Sequence, residues 1–178
     1  MKLRIYFLLP ALVIIFLWII IKGINVIYRK KKFDIKQEII NLFYLMSVLW
    51  IIGITIFPIE IGISHRYGPS NNFVPFSSIQ DLLSHTYYMV PLKNIVGNIL
   101  LFVPLGFMLS LKFSKLNSVT RVGVAGLLIS SLIELVQLLL PIRAFDVDDI
   151  ILNTLGSIFG FFVLKTFKGI SQISSKHS

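Results

Sequence analysis

Residues 5–21 contain no charged side chain, and this run alone approaches the length of a helical bilayer crossing. A helix rises about 1.5 Å per residue, so about 20 apolar residues cover a hydrocarbon core about 30 Å thick. Four more stretches have the same character, which places the expected spans at 5–27, 39–57, 94–111, 122–140 and 149–167. With 56% hydrophobic and 14% charged residues and a mean hydropathy of +0.86, the chain is built for lipid rather than water. The first run is too long for a signal-peptide core and lacks a small-residue cleavage site after it, so it is expected to remain as a helix. The fold class that follows is an all-α integral membrane protein, a bundle of about five transmembrane helices with a short outer interfacial helix.

Five crossings put the two termini on opposite sides, and the basic residues indicate which side is which. Lys22, Arg29, Lys30, Lys31, Lys32, Lys36, Lys112, Lys115, Arg121, Lys165, Lys168 and Lys176 fall together, with Lys2, Arg4, Arg66, Lys93 and Arg143 opposite. Twelve against five marks the cytoplasm. The N-terminus is then expected outside, against the pull of Lys2 and Arg4, and the C-terminus inside. The formal charge of +9 is read accordingly. The "YRKKK" run is a stop-transfer element and an anchor for anionic lipids at the cytoplasmic face, not a nucleic-acid site. The absence of cysteine removes disulfides, thiolate chemistry and Cys-ligated zinc or haem. His65, His85 and His177 share no ligand spacing, so neither a metal nor a cofactor is expected, the alternative being a divalent cation held by the acid cluster through oxygens alone. The organisation expected is a first helix with a basic linker over 1–38, a membrane domain over 39–168 and a tail over 169–178.

The longest loop, 58–93, falls outside and is punctuated by "HRYGPSNNFVPF". After it, Ser77 and Gln80 form a candidate capping box, followed by Ile79, Leu82, Leu83 and Tyr87 at helical spacing. This predicts an interfacial helix of about a dozen residues, with Tyr87 and Tyr88 at headgroup level.

Polar side chains inside a span are costly and face the bundle interior or a wet cavity, so their convergence is informative. On the fourth span Gly123, Gly126, Ser130, Glu134, Gln137 and Pro141 share one face, with Leu128, Leu132, Leu135 and Leu139 off it. Asp146, Asp149, Asn153, Gly156 and Gly160 repeat the pattern on the fifth, and Asp148 falls off that stripe. On the third, Asn94, Gly97, Asn98 and Leu101 do the same, above Pro104 and Gly106. Glu134, Asn98 and Asn153 all lie within about 10 Å of the outer end of their helices. The expected site is a ligand-binding pocket formed by Glu134, Gln137, Arg143, Asp146, Asp149, Asn153, Asn98 and Asn94.

Structural roles compete for each residue. Asp146 and Asp149 also suit the N-terminus of a helix, where a carboxylate accepts freed N–H groups. Gly156 and Gly160 form a small-xxx-small packing motif, and Asn98 and Asn153 can hydrogen-bond across helices. Glu134 and Arg143 can form a structural ion pair.

The blocks "NNFVPF" (Asn72, Pro75, Phe76), "NIVGNILLFVPLGFML" (Asn94, Gly97, Asn98, Phe102, Pro104, Gly106) and "SSLIELVQLLLPIRAFDVDDIILNTLGSIFG" resemble the VanZ-like family. In the last block Glu134, Gln137, Arg143, Asp146, Asp149, Asn153, Gly156 and Gly160 match, and the likeness covers roughly 39–167. The resemblance implies an integral protein of the bacterial cytoplasmic membrane, associated in some members with low-level teicoplanin resistance, and leaves the mechanism open. The residues favour a non-enzymatic envelope protein that binds a membrane lipid or other amphiphile at the outer leaflet, such as a lipoglycopeptide tail or a lipid-linked cell-wall precursor. Two rivals are an intramembrane enzyme using Glu134 or Asp149 as a base on a lipid head group, and a lipid translocator. No nucleophile or phosphate loop accompanies the first, and the inner halves of the last three spans offer the second little polar path.

Overall fold

In the computed structural model the described residues are 3–29, 34–61 and 69–174. Lys2, Lys30, Lys31, Lys32, His65, Arg66, Lys176 and His177 lie outside them. The chain starts with strand β1 (Leu3–Ile5), then α1 (Leu8–Arg29), α2 (Ile35–Thr55) and β2 (Ile59–Ile61). A short α3 (Ser77–Leu83) leads to α4 (Met89–Pro91), which continues through a π-helical turn (Leu92–Val96) into α5 (Gly97–Lys112). Helices α6 (Val119–Gln137) and α7 (Val147–Ser174) complete the order. Five helical stretches are long and apolar enough to cross a membrane: Leu8–Tyr28, Ile35–Thr55, Met89–Lys112, Val119–Gln137 and Val147–Gly169. The bundle of five is as expected, and the third begins earlier than the hydropathy suggested because the helix already starts at Met89.

Local chemistry sets the helix starts. The Asp34 carboxylate accepts from the Gln37 N–H at 3.3 Å, and the Ser118 hydroxyl accepts from the Arg121 N–H at 3.4 Å, each satisfying one of the donors freed at a first turn. The ribbon β1–β2 pairs antiparallel, with Leu3 opposite Ile61 and Ile5 opposite Ile59. It fastens the beginning of α1 to the end of α2, so these two helices form a hairpin. An Arg4–Glu60 ion pair ties the ribbon, and Phe7 lies on Phe57 at 5.2 Å.

Helices α5, α6 and α7 make the tight part of the bundle. A methyl group at Gly156 would run into the carbonyl of Ile99, and one at Gly160 into the carbonyl of Val103, so α7 lies directly on the α5 backbone. Phe102 and Leu105 are fully buried at this seam, and with Leu101, Leu109, Ile133 and Ile51 they form the apolar core shared with α2 and α6. The stripe inferred on α6 is the buried one: Gly123, Gly126, Ser130, Glu134 and Gln137 face in, while Leu128, Leu132, Leu135 and Leu139 face out.

Two local expectations need correction. Helix α3 has seven residues, not a dozen, and it begins at Ser77 without the Ser77–Gln80 capping box. Phe76 stands at its cap with φ of 67°, and a carboxylate from α7 satisfies its N–H groups instead. Tyr87 and Tyr88 fall in the connection after α3, both exposed.

Candidate functional site

The polar residues gather where α2 and α6 end and α5 and α7 begin. The start of α7 organises them. Asp146 Oδ1 accepts from the Asp148 N–H at 2.9 Å, the geometry of a helix cap, and from the Asn72 side-chain amide at 2.9 Å. Asn72 also pairs through its backbone, donating to the Phe145 carbonyl at 2.8 Å and accepting from the Val147 N–H at 3.1 Å. The neighbouring Asn71 side chain accepts from the Phe145 N–H at 2.9 Å, and Phe73 stacks on Phe145 at 4.9 Å. The "NNF" loop segment is thereby laid alongside "AFDV" as a short parallel bridge.

Asp148 does what its position off the stripe did not suggest. It is 1% exposed, and its two oxygens accept the N–H groups of Phe76 at 2.5 Å and Ile79 at 3.1 Å. One residue along the helix from Asp149 points it sideways toward α3 rather than away from the protein. Asp148 is off the polar stripe, and its carboxylate joins the loop to the bundle.

Glu134, 1% exposed, accepts the Asp146 N–H at 2.8 Å, which ties the end of α6 to the start of α7. Asn98 on α5 donates its side-chain amide to the Asp149 carboxylate on α7. Asn153, 2% exposed, donates to the Ser130 hydroxyl at 2.9 Å, a cross-helix bond from α7 to α6. Its Oδ1 and the Ser157 hydroxyl are buried with no hydrogen-bond partner among the described residues. On the other flank, Gln137 donates to the Thr55 carbonyl at 2.8 Å, and Arg143 donates to the carbonyls of Ile54 at 3.1 Å and Phe57 at 2.5 Å. These carbonyls belong to the last turn of α2 and the residues just beyond it, whose acceptors have no intrahelical partner. Burial pushes the Arg143 guanidinium below its ordinary pKa, though an arginine keeps its charge.

No Glu134–Arg143 ion pair forms. The ion pairs among the described residues are Arg4–Glu60 and Lys22–Glu38. Past the end of α6 the chain turns through 138–146, which aims Arg143 at the carbonyls around the α2 terminus and the Asp146 N–H at Glu134.

All eight residues singled out from the sequence thus come to one end of the bundle, but they separate into two kinds. Glu134, Gln137, Arg143, Asp146 and Asn153 are committed to bonds between helices and loops. Asn94 and Asn98 line an open cleft of about 380 Å³ with Lys93, Gly97, Trp50, Ile54, Leu100 and Leu101, and Asp149 stands behind Asn98. Asn94 is exposed and donates back to the Val90 carbonyl at 2.9 Å. Lys93 was counted in the sequence only as an outer charge. Its place beside Asn94 at the head of an inward-facing stripe was the available signal for this role. Among the described residues no group of three or more His, Cys, Asp or Glu side chains is arranged to hold a metal ion.

The comparisons with known proteins coincide with this architecture. The VanZ/LLP1 family model matches residues 40–168, the span from α2 into α7 that holds the whole polar cluster. A curated relative, Protein VanZ from Enterococcus faecium, is 24% identical over 134 residues, covering 75% of this chain and 72% of that protein. No solved structure matches the chain. The five spans, the α5–α7 glycine seam and the polar cluster at the head of α7 are the framework of a protein that belongs to the VanZ/LLP1 family.

Proposed function

We propose that this protein is a multi-pass component of the bacterial cell envelope that holds an amphiphile at the outer leaflet and so contributes to low-level tolerance of teicoplanin and related lipoglycopeptides. The observation that carries the reading is the cleft between α2 and α5. Lys93, Asn94 and Asn98 put a cation and two amides at its rim, while Trp50, Ile54, Leu100 and Leu101 make its wall apolar. A site of this kind takes a polar head and an apolar tail together. In this reading the cleft end of the bundle faces outside and the C-terminus is cytoplasmic, as the distribution of basic residues favours. The bonded residues Glu134, Gln137, Arg143, Asp146 and Asn153 act as a frame that keeps α2, α6 and α7 in place around the cleft. The ligand is either the lipoglycopeptide tail or a lipid-linked cell-wall precursor. Teicoplanin tolerance enters through the family alone.

The test compares rim variants with a frame variant in a teicoplanin-susceptible host, at matched amounts of membrane-inserted protein. Lys93→Ala combined with Asn94→Ala should abolish the tolerance the native protein gives, because both groups are exposed and removing them leaves the bundle intact. Asp146→Asn keeps an accepting Oδ1 for Asn72 and the α7 cap, and it should retain tolerance. Undiminished tolerance in the rim double variant would remove the cleft from the explanation.

A further inference from the structure

The cleft does not end at its apolar wall. Trp50 lines it and also lines an apolar furrow of about 530 Å³ that continues along the same two helices. On α2, Ile39, Phe43, Met46, Trp50 and Ile54 step along one face, and on α5 Gly97, Leu101, Pro104, Met108 and Leu111 do likewise. Cleft and furrow are successive lengths of one seam, joined at the indole.

Among the residues that line the seam, the charged and amide side chains gather at the Lys93 end. Ser47 is the sole hydroxyl along the furrow, and it donates to the Tyr44 carbonyl at 2.8 Å. From Lys93 to Leu111 the helix advances about 27 Å, whereas one leaflet of a core about 30 Å thick is about 15 Å deep. An ordinary outer-leaflet lipid anchored at Lys93 would fill only the upper half. At the rim, Asn98 gives an N–H to Asp149 and Asn94 gives one to Val90, which leaves their amide oxygens as acceptors. Among the described residues no carboxylate lines the cleft beside the Lys93 ammonium, so the charge there suits an anion. A phosphate answers both needs, with anionic oxygens for the ammonium and, when singly protonated, an O–H for an amide oxygen.

The geometry points to a lipid with a phosphate head and a single chain longer than one leaflet, of the polyprenyl phosphate class, as the occupant of this seam. The inference rests on the amphiphile reading above and names its ligand. The head sits among Lys93, Asn94 and Asn98, and the chain passes Trp50 and descends between Phe43 and Met108.

Trp50 reports on occupancy directly. The chain has two tryptophans, so Trp18→Phe leaves Trp50 as the only one. Full-length Trp18→Phe protein in phosphatidylcholine vesicles is titrated with three probes: a long-chain polyprenyl phosphate, the matching polyprenol, and a phosphatidic acid with ordinary acyl chains. The expected result is a Trp50 emission change whose half-saturation for the polyprenyl phosphate lies at least about tenfold below that of either control. Adding Lys93→Gln should weaken the polyprenyl phosphate about tenfold and leave the polyprenol unchanged. Adding Ser47→Leu, which fills the furrow below the cleft, should bring the polyprenyl phosphate down to the phosphatidic acid and spare the latter. If phosphatidic acid binds as well as polyprenyl phosphate and both depend on Lys93, the long-chain assignment is overturned while the amphiphile site stands. If no probe gives a Lys93-dependent response, the assignment and the amphiphile reading fall together.

Discussion

The carboxylate of Asp148 accepts the backbone N–H of Phe76 at 2.5 Å across 72 residues of sequence. Together with the bond from Ile79, it makes the first turn of α7 the cap of α3. A loop segment is therefore held by a membrane-spanning helix rather than by a residue of its own.

The first prediction concerns that bond. Asp148→Ala leaves the part-buried N–H groups of Phe76 and Ile79 without their shared acceptor and should lower stability by about 2–3 kcal/mol, since bonds to a charged acceptor contribute about 1.5–3 kcal/mol each. Asp148→Asn keeps one acceptor and should cost about 1–2 kcal/mol. Thermal unfolding in detergent measures both, with the exposed Asp81→Asn as a reference. An Asp148→Ala protein as stable as the reference would show that Asn71, Asn72 and Phe73 hold the loop without it.

Glu134 and Arg143 should behave as independent residues. Each has its own partners, the Asp146 N–H for one and the carbonyls of Ile54 and Phe57 for the other. Glu134→Gln and Arg143→Gln are expected to destabilise separately, and their effects should add to within about 0.5 kcal/mol in the double variant. Recovery of stability in the double variant is the signature of an ion pair and would contradict the arrangement described here.

At the α5–α7 seam, Gly156→Ala should force the helices apart, because the new methyl meets the Ile99 carbonyl. The expected loss is about 1–3 kcal/mol, seen as reduced folded yield by size-exclusion chromatography. Gly23→Ala on α1 meets nothing within 4 Å and should be neutral or stabilising by up to about 1 kcal/mol. Equal yields for the two variants would mean that α5 and α7 are not in backbone contact.

The β1–β2 ribbon makes a demand on topology. Residues 3–5 and 59–61 must lie on the same side of the membrane. A reporter before Met1 should therefore score with one in the 58–93 loop, outside, and opposite to one after Ser178. A cytoplasmic reporter at Met1 together with an external loop would be incompatible with the ribbon.

The inward faces of α6 and α7 were legible because a 3.6-residue period turns spacing into direction, so Glu134, Asn153, Gly156 and Gly160 could be placed without knowing what they meet. Their partners were less accessible. Asp148 binds N–H groups, and Arg143 and Gln137 bind carbonyls. Backbone groups are the same at every position, so no residue type announces them. Asn98 and Asp149 were both singled out and do bond to each other, since both ends of that contact are side chains on periodic helices. The cleft was concealed for another reason. Its walls, Trp50, Ile54 and Leu100, are ordinary membrane residues that line a cleft only once α2 and α5 are brought side by side.

Helix α1 has none of its apolar span buried, and it is secured at its start by the ribbon and near its end by the Lys22–Glu38 pair at 2.8 Å. The second attachment is partly exposed, of a kind typically contributing about 0–1 kcal/mol, so the ribbon acts as a pivot. When bilayer thickness changes, α1 can absorb the mismatch by leaning about that pivot while the glycine-locked α5 and α7 stay parallel. The protein thus has a compliant outrigger beside a stiff hull.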